Sequence, residues 1–154
     1  MSKKIPNMAS MRDNVERWMI HESLSFDDIK TPENTFHMVV KHGGKFGIPI
    51  EIFEPKSQPG VIVVGAKTVM KNNHIARYLR FSSDEKARFE KKVTDFCYSI
   101  QAVHKIISED GKQKIGVYVV LDNKETITQQ SVFDAIDRVS DMHEKTSRFL
   151  LKTF

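Results

Sequence analysis

The stretch that decides the fold is residues 35–64, TFHMVVKHGGKFGIPIEIFEPKSQPGVIVV. Apolar and polar residues alternate over residues 35–41 and again over residues 48–52, which is the period of a half-buried strand. Four successive apolar residues follow at 61–64. The pattern therefore predicts three strands in succession.

The connections between these strands are short enough for antiparallel hairpins. Residues 42–45, His-Gly-Gly-Lys, join the first pair, and residues 55–60 join the second pair. Pro49 has no N–H to donate to a neighbouring strand, so its strand is predicted to be an edge or to be irregular at that end. Together the three strands predict an antiparallel meander.

An amphipathic helix is predicted before the meander, because apolar residues recur there at spacings of three and four. The members of this stripe are Met8, Met11, Val15, Trp18 and Met19. Trp18 is predicted to be the main core anchor, and the helix to end near residues 21–23. Residues 24–29 predict a short edge strand, and residues 31–34 a turn.

The chain after the meander begins ambiguously, since residues 71–79 fit either a short helical turn or a loop. Ser82 and Glu85 have the spacing of a capping box, which predicts that a long helix begins there. Asp110-Gly111 is expected to end this helix. Its predicted apolar stripe is Phe89, Val93, Phe96, Ile100, Val103 and Ile107.

The last two predicted elements are a strand and a helix. Residues 115–121 alternate and become apolar on both sides, which predicts a strand in the centre of the sheet. Thr128 is predicted to cap the final helix, and the apolar stripe of that helix is Val132, Ile136, Val139, His143, Thr146 and Leu150. The sequence thus predicts one α+β domain over residues 1–154, with an ordered core at about 8–150 and the order α-β-β-β-α-β-α.

Composition agrees with a folded domain, since 40% of the 154 residues are hydrophobic and 29% are charged. No apolar run approaches the roughly 20 residues needed to cross a bilayer, and the start of the chain lacks the apolar segment of a signal peptide. We therefore expect no membrane contact and a cytoplasmic location. Cys97 is the one cysteine, so no internal disulfide forms, and its place in an apolar stripe predicts a buried thiol.

No familiar catalytic or metal-binding motif is present. The glycines of residues 43–47 lack the spacing of a phosphate-binding loop, and the six histidines are scattered. The carboxylate pairs at residues 27–28 and 109–110 are expected to be solvated. The sequence therefore predicts no cofactor, no metal site and no enzyme, although an enzyme whose site assembles from distant residues remains an alternative.

A second alternative is nucleic-acid binding by the basic segment 67–80. No acidic residue occurs between Glu54 and Asp84. Lys and Arg can neutralise phosphates while aromatic rings stack on bases. The candidate contacts are Lys67, Lys71, Arg77, Tyr78 and Arg80.

The end of the chain predicts self-association. Successive helical residues are about 100° apart, so Phe149, Leu150 and Leu151 cover an arc wider than the stripe that one helix usually buries. Together with Phe154 they form a candidate partner surface. A second copy of the chain is one predicted occupant, since two-fold dimers are the commonest oligomers, and packing beneath the chain's own first helix is the other.

The order of elements resembles that of the small chaperones that serve type III secretion effectors, and more closely that of an uncharacterised archaeal and bacterial family with the same fold. The resemblance is carried by the helix around Trp18, the strands at 48–52 and 61–64, and the strand at 117–120 with the helix start at 126–136. It implies a homodimer that holds an extended segment of another protein against its sheet and helix surfaces. The first hypothesis is therefore a non-enzymatic protein-interaction domain whose partners are itself and an unidentified protein.

Overall fold

The computed structural model describes residues 10–154, so Met8 and the start of the predicted ordered core lie outside the described residues. The chain contains more helices and strands than the predicted order α-β-β-β-α-β-α. They are α1 (Met11–His21), β1 (Phe26–Asp28), β2 (Asn34–Gly43), β3 (Ile48–Pro55), β4 (Ile62–Val69), α2 (Asn72–Leu79), α3 (Ser83–Ser99), β5 (Val103–Glu109), β6 (Lys112–Leu121) and α4 (Gln129–Thr153).

The strands form one six-stranded sheet in the order β1-β2-β3-β4-β6-β5, and every neighbouring pair is antiparallel. The predicted α+β class and the meander of β2, β3 and β4 are confirmed. The short edge strand β1 and the position of β6 inside the sheet are confirmed as well. Residues 71–79 form the helix α2, which resolves the ambiguity there.

The predicted long helix is wrong beyond Ser99. Gln101 takes a left-handed backbone conformation with φ of 57°, which ends α3, and residues 103–109 form the strand β5. Asp110 and Gly111 both have positive φ, as the two central residues of a type I′ hairpin turn require. The pair therefore joins two strands instead of ending a helix, and the predicted element order is corrected accordingly.

Capping decides where the other helices begin. The Ser82 hydroxyl accepts from the N–H of Glu85 while the Glu85 carboxylate accepts from the N–H of Ser82, so the predicted capping box is confirmed. Thr128 caps α4 as predicted. Pro49 lies where the register of β2 and β3 shifts, between Val40 and Gly43, so its strand is irregular at that end although it is not an edge.

Helices cover one face of the sheet. Side chains from alternate positions of β2, β3, β4 and β6 point to this face and are buried together with residues of all four helices. Val15 and Met19 are the fully buried side chains of α1, whereas Trp18 is half-buried, which corrects its predicted role as the main anchor. No helix within residues 10–154 combines the length and apolar character needed to cross a bilayer.

Candidate functional site on the open face of the sheet

The opposite face of the sheet, here called the open face, carries no helix of residues 10–154. Its side chains come from the strand positions that alternate with the core positions, and they include one apolar set and one charged set. The apolar patch consists of Phe53, Val63, Val103, Tyr118 and Val120, and the charged row consists of His37, Glu51, Lys67, Glu109 and Lys114.

Strand register brings the apolar patch together. Phe53 lies opposite Val63, Val63 lies opposite Val120, and Tyr118 lies opposite Val103. The Phe53 and Tyr118 rings meet edge to face with their centroids 6.4 Å apart. The patch therefore extends across four strands and ends at β5, where Val103 is 56% exposed.

Two glycines let Tyr118 lie flat on the sheet. A Cβ at Gly65 or at Gly116 would meet the tyrosine ring, so both positions must lack a side chain. Partial burial raises the pKa of the Tyr118 hydroxyl to about 12, and the charges of Glu51 and Glu109 act in the same direction. The hydroxyl therefore stays protonated at neutral pH and does not act as a base there.

The charged row joins five strands through opposite charges. His37 Nε2 donates to Glu51 Oε1 at 2.8 Å, and Lys67 Nζ lies 3.8 Å from the other oxygen of Glu51 and 3.6 Å from Glu109 Oε1. Lys114 Nζ donates to the same Glu109 oxygen at 2.8 Å. Every acidic group of the row therefore has a cationic or hydrogen-bonding neighbour inside the chain.

The pKa shifts of the two carboxylates follow from these contacts. Partial burial acts to raise the pKa of Glu51, but the hydrogen bond from His37 and the charge of Lys67 outweigh it, and the pKa is lowered. The hydrogen bond from Lys114 and the charge of Lys67 lower the pKa of Glu109. Both carboxylates are therefore ionised at neutral pH. A row of mutually neutralised charges beside an apolar patch differs from the strongly charged groove that a polyanion would require.

Strand β5 forms one edge of this face. It has seven residues and, within the described part of the chain, a neighbouring strand on one side only. Its pairing with β6 runs without a bulge, and it contains no proline. An edge of this length that lacks a bulge and a proline can pair with another strand.

The candidate partner surface at the end of the chain is largely covered by contacts with other parts of the same chain. Leu150 is buried, the Phe149 ring stacks on Phe96 at 4.4 Å between centroids, and the Phe154 ring stacks on His74 at 4.9 Å. Leu151 is 53% exposed. Neighbouring helices α2 and α3 thus cover most of the wide apolar arc of α4, and the four residues do not form one exposed surface.

The candidate nucleic-acid contacts also fail to share one surface. Lys67 belongs to the charged row on the open face, whereas Tyr78 packs into the aromatic cluster of the helical layer. Arg77 Nη1 donates to the main-chain oxygen of Phe154 at 2.6 Å. Lys71 and Arg80 are exposed. Residues 10–154 also contain no group of three or more side chains placed to bind a metal ion.

Sequence patterns did not reveal the charged row, because its members, apart from the pair Glu109 and Lys114, are at least 14 residues apart and only strand register unites them. Gly65 and Gly116 were the one feature of the sequence that pointed to the open face. A glycine inside a strand indicates close approach by another group, and here that group is the Tyr118 ring.

Fold and open face together define a two-layer α+β protein with helices on one side of an antiparallel sheet. Residues 11–150 match the family described as "Uncharacterized conserved protein (DUF2299)", and the chain belongs to that family. The chain is similar to the crystal structure of an uncharacterized protein from Methanothermobacter thermautotrophicus, with a TM-score of 0.73 and 14% sequence identity. That similarity covers 93% of this chain and 98% of the other, and it concerns the fold alone. No curated protein matches the chain.

Proposed function

We propose that the protein is a non-enzymatic protein-interaction domain that works as a two-fold dimer, with the β5 strands of two copies paired edge to edge. The observation that carries the proposal is the edge of β5, which has no neighbouring strand on its outer side within residues 10–154 and borders the apolar patch of the open face. The resemblance to dimeric secretion chaperones points to the same kind of function, in which a dimer holds a segment of another protein.

Hairpin geometry identifies the backbone groups that are free to pair. Glu109 and Lys112 flank the two-residue turn, so they form a hydrogen-bonded pair, and hydrogen-bonded pairs then alternate along the strand. Residues 103, 105, 107 and 109 therefore bond to β6. His104, Ile106 and Ser108 direct their N–H and C=O groups toward the edge.

The charges of β5 favour one register between two copies. When Ile107 lies opposite Ile107 of the second copy, Lys105 lies opposite Glu109 of the second copy, on the same face of the sheet. Opposite charges at directly opposed positions stabilise an antiparallel pair by roughly 0.2–1 kcal/mol. Ile106 then meets Ser108 of the second copy, and their outward backbone groups bond to each other. The two open faces become one continuous surface.

The other edge of the sheet is less suited to pairing. Strand β1 has three residues, so it offers fewer backbone groups for pairing than the seven-residue β5. The nucleic-acid alternative has less support than the dimer, because Lys67 is neutralised within the charged row and Tyr78 packs among aromatic rings of the helical layer.

Cysteine substitution at the centre of the proposed register tests the dimer. Ile107→Cys should form a disulfide between two copies under mild oxidation, because side chains at a directly opposed pair that is not hydrogen-bonded are close. Lys105→Cys is the matched control, since it lies on the same strand and face but opposite residue 109. Non-reducing gels should show the linked dimer for the first variant only.

Sedimentation of the unmodified chain completes the test. We expect a dimer at about 100 µM, a concentration at which a micromolar complex is largely formed. A monomer at that concentration would overturn the proposal. Equal cross-linking of the two cysteine variants would also overturn it, since that result indicates random collision and not one register.

A further inference from the structure

A second surface lies on the helical side of the sheet, between α3 and the last turns of α4. Two aromatic contacts join these helices. Phe96 stacks on Phe149 with 4.4 Å between ring centroids, and Phe89 meets Phe154 at 5.3 Å. The helices therefore run in opposite directions, since Phe89 precedes Phe96 whereas Phe154 follows Phe149.

These rings form the floor of a groove. Two open depressions of about 310 and 200 Å³ follow one another along it. Phe96, Phe149 and Lys152 line the first depression, and Phe89 and Thr153 line the second. Phe96 and Phe149 are half-buried, so part of each ring is accessible from the groove.

Cationic side chains stand on both sides of this floor. Helix α3 contributes Arg88 and Lys92, and α4 contributes Lys145, Arg148 and Lys152. All five residues are exposed. The surface formed by these five residues and the phenylalanine floor is called here the basic groove.

The basic groove concentrates the charge of the chain. Glu85 is the one acidic residue in the lining formed by the described residues, and its carboxylate already accepts from the N–H of Ser82. The charged residues of the lining sum to +4, which equals the formal net charge of the whole chain. The remainder of the chain is therefore neutral overall.

Most of these cations have no acidic partner in the chain. Within residues 10–154 an ion pair forms at Arg148, with Glu144, and none forms at Arg88, Lys92, Lys145 or Lys152. Like charges three or four residues apart destabilise a helix, and both helices carry such pairs here. The charged row of the open face is neutralised internally, whereas the basic groove needs an acidic partner from outside.

The walls of the groove decide which backbone conformation fits it. Both helices satisfy their own N–H and C=O groups, so the groove offers no row of free backbone groups to an extended segment. A helix satisfies its own backbone bonds and can lay an apolar face into a groove. From Glu85 to Phe96 the wall formed by α3 is about 16 Å long, which is three turns of a helix.

We propose that the basic groove binds a short acidic amphipathic helix of another protein. Its apolar side chains contact Phe96 and Phe149, and its aspartates or glutamates lie beside Lys92, Lys145 and Lys152. This rests on the proposed protein-interaction function, for which it names a class of partner. The groove belongs to α3 and α4 of a single chain, so the β5 dimer is not required for binding.

Other occupants fit the groove less well. A second copy of the chain that docked groove to groove would bring a like charge of +4. Bases of a nucleic acid stack on free ring faces, but Phe96 and Phe149 already stack on each other at an interplanar angle of 13°. A membrane accepts apolar side chains that project into it, whereas these rings are recessed between two helices.

Titration with a designed peptide tests the proposal. The probe is a blocked, fluorescent peptide of about 14 residues, with leucines at the helical spacing i, i+3, i+4 and i+7 and glutamates on both sides of them. It should bind the full chain with a Kd of about 50 µM or lower at low salt. Amide chemical shifts should change along α3 and the last turns of α4.

Two matched peptides separate charge from apolar contact. Replacing each glutamate by glutamine keeps the helix propensity and removes the charge, so binding should weaken at least tenfold. Distributing the same leucines around the helix removes the apolar face and should weaken binding as much. The proposal is wrong if either peptide binds as tightly as the probe, or if a short oligothymidylate or vesicles rich in phosphatidylserine bind more tightly than the probe.

Charge reversal locates the binding surface. Lys92→Glu combined with Lys152→Glu should weaken binding of the probe at least tenfold. Lys30→Glu combined with Lys56→Glu is the matched control, because it changes the net charge equally at exposed residues outside α3 and α4, and its Kd should change less than twofold. Equal Kd values for the two double variants would place binding elsewhere and overturn the proposal.

The dimer is scored separately by the disulfide of Ile107→Cys. If that disulfide forms and the probe does not bind, the basic groove is wrong and the dimer stands. If the probe binds and the disulfide does not form, the dimer is wrong and the groove stands.

Discussion

Gly65 of β4 lies directly opposite Tyr118 of β6, and the tyrosine ring occupies the space that a Cβ at Gly65 would fill. The ring also lies over Gly116, two residues earlier on its own strand. Because the ring lies flat on the backbone, it forms part of a flat apolar surface instead of projecting into solvent. The two glycines thus shape the open face around one aromatic side chain.

Gly65→Ala should destabilise the protein by about 1–3 kcal/mol, the usual range for overpacking. The added methyl group collides with the Tyr118 ring and lies 3.1 Å from the carbonyl oxygen of Val117. Urea unfolding measures the change. Most of the loss should disappear in a Tyr118→Ala background, where the ring is absent. An equal loss in both backgrounds would show that the ring is not the obstacle.

Tyr118 should make the fold sensitive to alkali. Its pKa is raised from 10 to about 12, chiefly by burial, so the unfolded chain releases this proton at a lower pH than the folded chain. The contribution to stability is therefore fully present below pH 10 and is lost as pH rises toward 12. Tyr118→Phe should remove this part of the decline. The measurement is the difference in unfolding free energy between the two proteins across that range.

His74 should make the fold sensitive to acid. Burial first, and then Lys71 and Arg77, lower its pKa below the ordinary 6.5, so the unfolded chain binds this proton more readily than the folded chain. Stability is present above pH 6.5 and falls as pH drops below that value.

The melting temperature of His74→Phe should fall less steeply with decreasing pH than the melting temperature of the unmodified chain. Some decline remains, because burial also lowers the pKa of His143, against the opposing effect of Glu144. Identical slopes for the two proteins would contradict the assignment to His74.

Local chemistry made much of the fold predictable. Alternation specified β2 and β3, and the hydroxyls of Ser82 and Thr128 marked the starts of α3 and α4 because they cap N–H groups that no other residue reaches. The error lay at residues 100–111, where the apolar residues fit both a helical stripe and a strand. The Asp110-Gly111 turn is a hairpin signal when β-branched residues flank it, and Val103, Ile106 and Ile107 are such residues.

The site was beyond prediction for a different reason. His37 and Glu51 share a hydrogen bond, yet that contact depends on the register between β2 and β3, where Val39 and not His37 is the direct partner of Glu51. Register is set by the whole sheet and its turns rather than by either residue.

The final prediction concerns Cys97, which is fully buried on α3 as its place in the apolar stripe predicted. Burial raises the pKa of its thiol to about 11, so only about a thousandth of it is ionised at pH 8. Since the thiolate is the reactive form, labelling of the native protein should be slow and should accelerate with denaturant as the helix opens. Tyr98→Cys is the matched control, because the neighbouring side chain is 85% exposed and its thiol should react at once. If Cys97 is modified in native buffer as fast as that control thiol, α3 does not pack against the sheet as described.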